Sequence, residues 1–195
     1  MAEGRRRLAI LISGRGSNME AIIQAARDPA YPADVALVVS NRAAAPGLAR
    51  ARDLGVPTIA LPHGDFPSRE AFDAALDALL REHRIDVVAL AGFMRVLTPG
   101  FVRRWQGRML NIHPSLLPRY PGLHTHRRAL EAGDREAGCT VHEVTADLDS
   151  GPILAQARVP ILPGDSAESL ALRVLAEEKR VYPPAIAAFI RGREG

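Results

Sequence analysis

The chain has 195 residues, 47% hydrophobic and 24% charged, a globular make-up with enough length to bury one substantial core. Its formal net charge of +3 rests on arginine, Lys179 being the only lysine, and the densest basic run is Arg5-Arg6-Arg7, so no nucleic-acid partner is expected. The lone Cys139 excludes an internal disulfide; the apolar run after Arg7 is too short for a signal core, and no stretch approaches transmembrane length, so a cytoplasmic protein without a membrane partner is expected.

Residues 8–12 are a continuous apolar run that ends in Ser13-Gly14-Arg15-Gly16-Ser17-Asn18, after which Met19, Ile22, Ile23 and Ala26 recur at helical spacing. Strand, tight loop and helix in that order deliver backbone N–H groups at a helix N-terminus, with Ser17 or Asn18 as the cap, and such an end attracts phosphate. The loop is not a Walker motif, because no Lys-Ser/Thr pair follows, and Met19 stands where a dinucleotide fingerprint needs its third glycine. After the next strand, 35–40, Asn41-Arg42 replace the acid that would hold an NAD ribose. A phosphate monoester therefore fits better than a dinucleotide, although a plain strand-to-helix turn would read the same from this loop alone.

A helix over about 46–54, a third strand over 56–61 and a helix opened by Ser68-Arg69-Glu70, with Phe72, Leu76, Leu79 and Leu80 as its stripe, continue an alternation that predicts a parallel sheet covered by helices. Residues 86–91 are the fourth strand, apolar inside and hence central. The loop 92–99 that leaves it carries Phe93, Met94, Val96 and Leu97. Such side chains at the carboxyl end of a parallel strand can wall a flat ring, or simply pack the next helix around Phe101, Val102 and Trp105.

The fifth strand, 109–112, runs into Asn111-Ile112-His113-Pro114-Ser115-Leu116-Leu117-Pro118. Alternation puts Asn111 and His113 on one side of the extended chain, and the two prolines keep the turn from relaxing into a helix. Alone, Asn-x-His would be no more than a satisfied buried pair at a sheet end. His124 and His126 follow, yet no cysteine pair or His-Glu-x-x-His helix supplies a metal-ligand set, and no metal is expected. A short helix over 127–132 stops at Gly133. Residues 139–145 then alternate as a half-exposed strand up to the turn Asp147-Leu148-Asp149-Ser150-Gly151-Pro152, and 153–159 run back, predicting an antiparallel edge hairpin. The last segment, capped by Asp165 or Ser166, predicts a long helix interrupted at Tyr182-Pro183-Pro184 and resumed over 185–190. No repeat or linker divides the chain.

Five stretches together carry a family resemblance: Leu11 to Asn18, Leu90-Ala91-Gly92-Phe93-Met94-Arg95, Leu110 to Pro118, Tyr120-Pro121-Gly122-Leu123-His124, and Thr140-Val141-His142 with Asp149-Ser150-Gly151-Pro152. Over nearly its whole length the chain resembles the folate-dependent formyltransferases, in particular those that formylate glycinamide ribonucleotide in purine synthesis. The Asn, His and distant Asp are common to related formyltransferases and hydrolases; the phosphate loop and the Pro-Gly-Leu-His stretch narrow the match. The resemblance implies a Rossmann-like α/β fold, a mainly parallel twisted sheet flanked by helices with an antiparallel edge hairpin. It also implies one domain over 1–195, with a phosphate-binding half at about 8–100 and a catalytic, folate-binding half at about 101–191. Asn111, His113 and Asp149 would be catalytic; Gly16, Ser17 and Asn18 would take the phosphoribosyl group and Glu178 the ribose hydroxyls. Arg69, Met94, Arg95, Val96, Leu97 and Asn111 would hold 10-formyltetrahydrofolate as co-substrate, with no metal. Arg15 and Leu175 fall where relatives often carry other polar residues, and the longer tail of some relatives is missing. Monomer and homodimer both stay open.

That chemistry is attack by the glycinamide amine on the formyl carbon, a tetrahedral oxyanion, and departure of the folate nitrogen. Asn111 would donate to the oxyanion, protonated His113 would donate and assist proton transfer, and Asp149 would stabilise the charged ring. Hydrolysis of the formyl donor needs the same three residues but no phosphate loop, and its enzymes usually carry an additional N-terminal regulatory domain. Formylation of initiator methionyl-tRNA would need RNA-binding surface and a further C-terminal domain. A catalytically idle folate or nucleotide sensor is the reading from another class.

Overall fold

A computed structural model describes residues 4–193. Its elements in order are β1 (Arg6–Ile12), α1 (Ser17–Ala26), β2 (Ala33–Ser40), α2 (Pro46–Asp53), β3 (Thr58–Ala60), α3 (Arg69–Glu82), β4 (Val87–Leu90), α4 (Pro99–Arg104), β5 (Met109–His113), α5 (Thr125–Glu131), β6 (Glu136–Glu143), β7 (Ile153–Pro160) and α6 (Ala167–Arg191). The strands form one sheet in the order β3-β2-β1-β4-β5-β6-β7, parallel through β5 and antiparallel from β5 to β7. This is the expected mainly parallel sheet with an antiparallel edge hairpin, and β4 is indeed its middle strand.

The sheet needs helices on both faces because its strands are apolar on both. In β1, Leu8, Ile10 and Ile12 join Met19 and Ile22 of α1, Leu48 of α2 and Val174, Tyr182 and Ile186 of α6 in one core. Ala9 and Leu11 face the opposite way, into a second core with Phe72, Leu76 and Leu80 of α3 and Phe101, Val102 and Trp105 around α4. Each large aliphatic side chain so buried contributes about 1.5–3 kcal/mol relative to exposure. Among the described residues no helix is long and apolar enough to cross a membrane.

The structure departs from the sequence expectations at three places. The cap of α1 is Gly16 in the left-handed region (φ 75°), with no side-chain cap bond, because Ser17 and Asn18 already lie in the helix. Strand β6 is buried rather than half-exposed: Ala137, Cys139 and Val141 face the α6 core, while the loop after β5 covers Thr140. Thr140 donates to Ser115 O at 2.7 Å and accepts from Leu117 N at 3.0 Å, which pins that loop to the sheet. Helix α6 runs unbroken across Pro183 and Pro184. An interior proline typically costs roughly 3 kcal/mol. Here tertiary packing outweighs it: Tyr182 and Ile186 are fully buried, Tyr31 Oη donates to Pro183 O at 2.8 Å, and Tyr182 Oη reaches Leu90 O and Leu110 O at 3.0 and 3.2 Å.

Candidate active site

The strand order reverses between β1 and β4, and in open α/β sheets the crevice beyond the carboxyl ends at that point is where ligands bind. The loop Ser13-Gly14-Arg15-Gly16 leaves β1 there and delivers the N-terminus of α1. Gly16 is needed on two counts: its φ is positive, and a Cβ at this position would stand 3.2 Å from Gly47 Cα. Gly47 in turn donates its N–H to Gly14 O at 3.0 Å, so α2 braces the loop from behind. Ser17 is half-buried and Asn18 buried. The Asn18 side-chain Nδ2 donates to Glu178 Oε2 at 2.7 Å, a bond across 160 residues that joins the first helix to the last. Burial raises the Glu178 carboxyl above its ordinary 4.5, partly offset by the Asn18 bond, and Asn18 Oδ1 is buried without a partner. The four residues expected to share the phosphoribosyl group thus do meet: Gly16, Ser17 and Asn18 at the helix start, Glu178 beside them.

Across the crevice lies the loop after β4. Its four large apolar side chains divide. Met94 and Val96 are exposed at 58% and 52%, whereas Phe93 and Leu97 pack into the α3–α4 core. The packing role weighed for this loop is present in Phe93 and Leu97, whose side chains belong to the core, while Met94 and Val96 are left exposed. The Arg95 guanidinium lies over the Phe72 ring, 4.6 Å from its centroid, and Thr98 N donates to Asp73 Oδ2 at 2.7 Å. These contacts set the first turn of α3 against the loop, and Arg69, exposed, begins that turn.

The third part of the site is built from β5, β6 and the turn between β6 and β7. His113 Nδ1 is 3.4 Å from Asp149 Oδ2, while His113 Nε2 is 2.9 Å from Tyr120 O, so both ring nitrogens face acceptors. Asp149 arrives from 36 residues downstream in a left-handed conformation (φ 51°) and is fixed by the N–H of Gly122, which donates to Oδ2 at 2.8 Å. Tyr120, with φ 54°, presents its carbonyl inward, and Arg128 braces this stretch by donating to Pro121 O and Leu123 O. The triad expected from Asn111, His113 and Asp149 is brought together.

A fourth member was missed: His142. The antiparallel register sets it opposite Asn111, and its Nε2 lies 3.3 Å from Asn111 Nδ2. Its other nitrogen, Nδ1, is 2.8 Å from Glu143 O, a carbonyl that can only accept, so Nδ1 carries the hydrogen. Burial holds the His142 pKa below its ordinary 6.5, which keeps the ring neutral at neutral pH and leaves Nε2 as an acceptor. That lone pair takes one amide hydrogen of Asn111, settling which way the amide faces and leaving its second hydrogen for a ligand. His142 lies in the Thr140-Val141-His142 stretch that carries the resemblance, but the sequence supplies no register to place it opposite Asn111. His126 is half-buried near His113, its pKa lowered first by desolvation and then by His113. Among the described residues no group of three or more His, Cys, Asp or Glu side chains is arranged to hold a metal ion.

Oriented donors, an imidazole–carboxylate pair and a helix N-terminus, the kind of end that attracts phosphate, suit transfer of an acyl-type group to a phosphorylated acceptor. The sequence profile of the family described as Formyl transferase matches residues 6–186. The trifunctional purine biosynthetic protein adenosine-3 of Drosophila melanogaster is 51% identical over 98% of this chain, but the chain spans only 14% of that protein's length. Phosphoribosylglycinamide formyltransferase of Escherichia coli K12 is also 51% identical, over 95% of this chain and 88% of its own. Among solved structures, phosphoribosylglycinamide formyltransferase from Brucella melitensis superposes with a TM-score of 0.91 at 54% identity, covering 95% of this chain and 96% of that one. Glycinamide ribonucleotide transformylase 1 from Symbiobacterium toebii gives 0.94 at 50% identity, covering 97% and 89%. With this likeness along nearly its whole length and the site residues gathered where the sheet order reverses, the chain belongs to the formyl transferase family, among the phosphoribosylglycinamide formyltransferases.

Proposed function

We propose that this chain transfers the formyl group of 10-formyltetrahydrofolate to the amine of phosphoribosylglycinamide, giving the formylated ribonucleotide and tetrahydrofolate. The observation that carries the reading is the pairing of two halves in one crevice: a phosphate-accepting helix start with a buried Asn18–Glu178 pair, and an Asn111–His113–Asp149 cluster opposite it. In this reading the start of α1 takes the phosphate and Glu178 a ribose hydroxyl. Arg69, Arg95 and the exposed Met94 and Val96 take the folate, with Leu97 contributing as core support.

Chemistry then follows from the donors in place. As the amine nitrogen forms its bond to the formyl carbon, the carbonyl π pair moves onto oxygen, and the free Asn111 amide hydrogen stabilises the oxyanion. Collapse re-forms the carbonyl, breaks the bond to the folate nitrogen and returns a proton to that nitrogen from the attacking amine. Asp149 faces the His113 ring on one side. For His113 to donate to the reacting centre, its Nε2 has to exchange the Tyr120 carbonyl for substrate, so loop 119–124 adjusts as the site fills. The proposed route uses no metal and no covalent intermediate. The chain itself is proposed to act as one domain, with small molecules as its partners.

The deciding experiment follows 10-formyltetrahydrofolate by absorbance with and without phosphoribosylglycinamide. Turnover that depends on the amine is expected. Equal deformylation without it would make the chain a hydrolase, and binding of both ligands without turnover would make it a sensor.

A further inference from the structure

Ser13 is the last residue before the phosphate loop, only 5% exposed, and its hydroxyl has two partners on other strand exits. Its Oγ donates to Asn41 Oδ1 at 2.5 Å, beyond the end of β2, and accepts from Met94 N at 2.7 Å, in the loop after β4. Its backbone N–H donates to Gly92 O at 3.1 Å, where Gly92 turns the chain out of β4 with φ 75°. Asn41, 1% exposed, is itself held against His63, whose Nδ1 lies 3.0 Å from Asn41 O. One buried hydroxyl thus pins three strand ends at the point where the sheet order reverses. The two loops it joins lead to the residues assigned above to different substrates: Gly16 to Asn18 on one side, Met94 to Leu97 on the other.

We propose that Ser13 is a positioning residue that ties the ribonucleotide loop and the folate loop into one unit, so that ordering either loop around its ligand lowers the cost of ordering the other. This rests on the function proposed above. In this role the hydroxyl acts through the Met94 amide rather than on a substrate, and the side chain of Met94 is exposed. Without this bond the loop would keep the Arg95–Phe72 and Thr98–Asp73 contacts but lose its hold at Met94, whose freedom the folate would have to restrict on binding.

The test uses the full chain carrying Ser13→Ala, which leaves the Met94 amide without its partner. Loss of one such bond should speed exchange of the Met94 amide with solvent, read by NMR without ligands, by roughly 3- to 10-fold. The KM for 10-formyltetrahydrofolate should rise by a similar factor while kcat stays within about twofold, because Asn111, His113 and Asp149 are untouched. Calorimetry of tetrahydrofolate binding with and without phosphoribosylglycinamide should show mutual tightening in the parent and none in the variant. Ser13→Thr, which keeps the hydroxyl, should restore all three readouts. Unchanged Met94 exchange in Ser13→Ala overturns the tether. Faster exchange with unchanged folate KM and unchanged coupling overturns the positioning role, and a lowered melting temperature alone counts as that result. If Ser13→Ala does not fold, Asn41→Ala, which frees the hydroxyl to rotate away from Met94, is read in the same three ways. Failure of the parent to bind either ligand sinks the proposed function, and Met94 exchange then decides separately whether Ser13 holds the loop.

Discussion

Asn111 owes its proposed part in catalysis to its neighbour across the sheet, His142. The neutral ring of His142 accepts one amide hydrogen and so presents the other to the oxyanion. Asn111→Ala should lower kcat by about 10²- to 10³-fold, the usual cost of one oxyanion donor, with little change in the ribonucleotide KM. Steady-state kinetics with both substrates checks this, and a KM effect without a kcat effect would move Asn111 out of the transition state. Glu178 illustrates the opposite balance, in which stability is given up for binding. Its folded pKa is raised above the ordinary 4.5, so between those values the native state holds the proton the unfolded state has lost, and stability falls as pH rises through that window. At neutral pH the ionised carboxylate is a burden. Glu178→Gln keeps an acceptor for Asn18 and removes the charge. Its melting temperature should exceed the parent's at neutral pH, converge with it below pH 4.5, and come with weaker ribonucleotide binding. A variant less stable at neutral pH would show that the carboxylate is not penalised.

At the scale of elements, the turn between β6 and β7 is held by a close approach. A Cβ on Gly151 would lie 1.8 Å from Glu143 O, and Glu143 N donates to Pro152 O at 2.9 Å, so the two chains leave no room between them. Gly151→Ala must therefore displace the turn that carries Asp149. A misplacement on the order of 1 Å typically lowers turnover by about 10²-fold, and that loss is expected here with ribonucleotide affinity retained, since the proposed ribonucleotide contacts come from the start of α1 and from Glu178 and not from the turn. Kinetics alongside circular dichroism separates a displaced carboxylate from a general loss of fold; unchanged kcat would mean that Asp149 has no fixed duty. Helix α6 teaches where local reading fails. A cap at Asp165 or Ser166 was legible, and the structure makes it Ser166, with both halves of the Ser166–Ser169 capping box. Its passage through Pro183-Pro184 was not, because the contacts that outweigh two missing N–H groups come from Tyr31, β4 and β5 rather than from nearby sequence.

For the whole molecule, the response to mild acid is governed by two imidazoles, the buried His142 and the half-buried His126. His142 and His126 have folded pKa values below 6.5, both chiefly through burial. Below 6.5 the unfolded chain takes up protons that the native state resists, so stability is fully present above that value and is lost as pH falls through it. The melting temperature should therefore decline as pH is lowered from neutral into the mildly acidic range, and the decline should be shallower in a His142→Gln variant. Asp165 is separable: Arg173 and other donors hold its carboxyl well below the usual carboxylate range, so its contribution persists until far more acidic pH. A melting temperature flat from neutral to mildly acidic pH would mean that both rings charge without resistance.

By itself the sequence determined the alternation of strand and helix, the glycine-bearing turn at the end of β1, the common side shared by Asn111 and His113, and the edge hairpin, because each follows from periodicity or turn chemistry within a dozen residues. Periodicity states which face a residue occupies and nothing about what lies across from it. Only the tertiary structure decided that His142 pairs with Asn111, that Gly122 fixes Asp149 beside His113, that Asn18 bonds Glu178, and that Ser13 holds Met94. Those partners depend on strand order and register, which are settled by burying both faces of the sheet at once, a global condition that no short stretch of sequence contains.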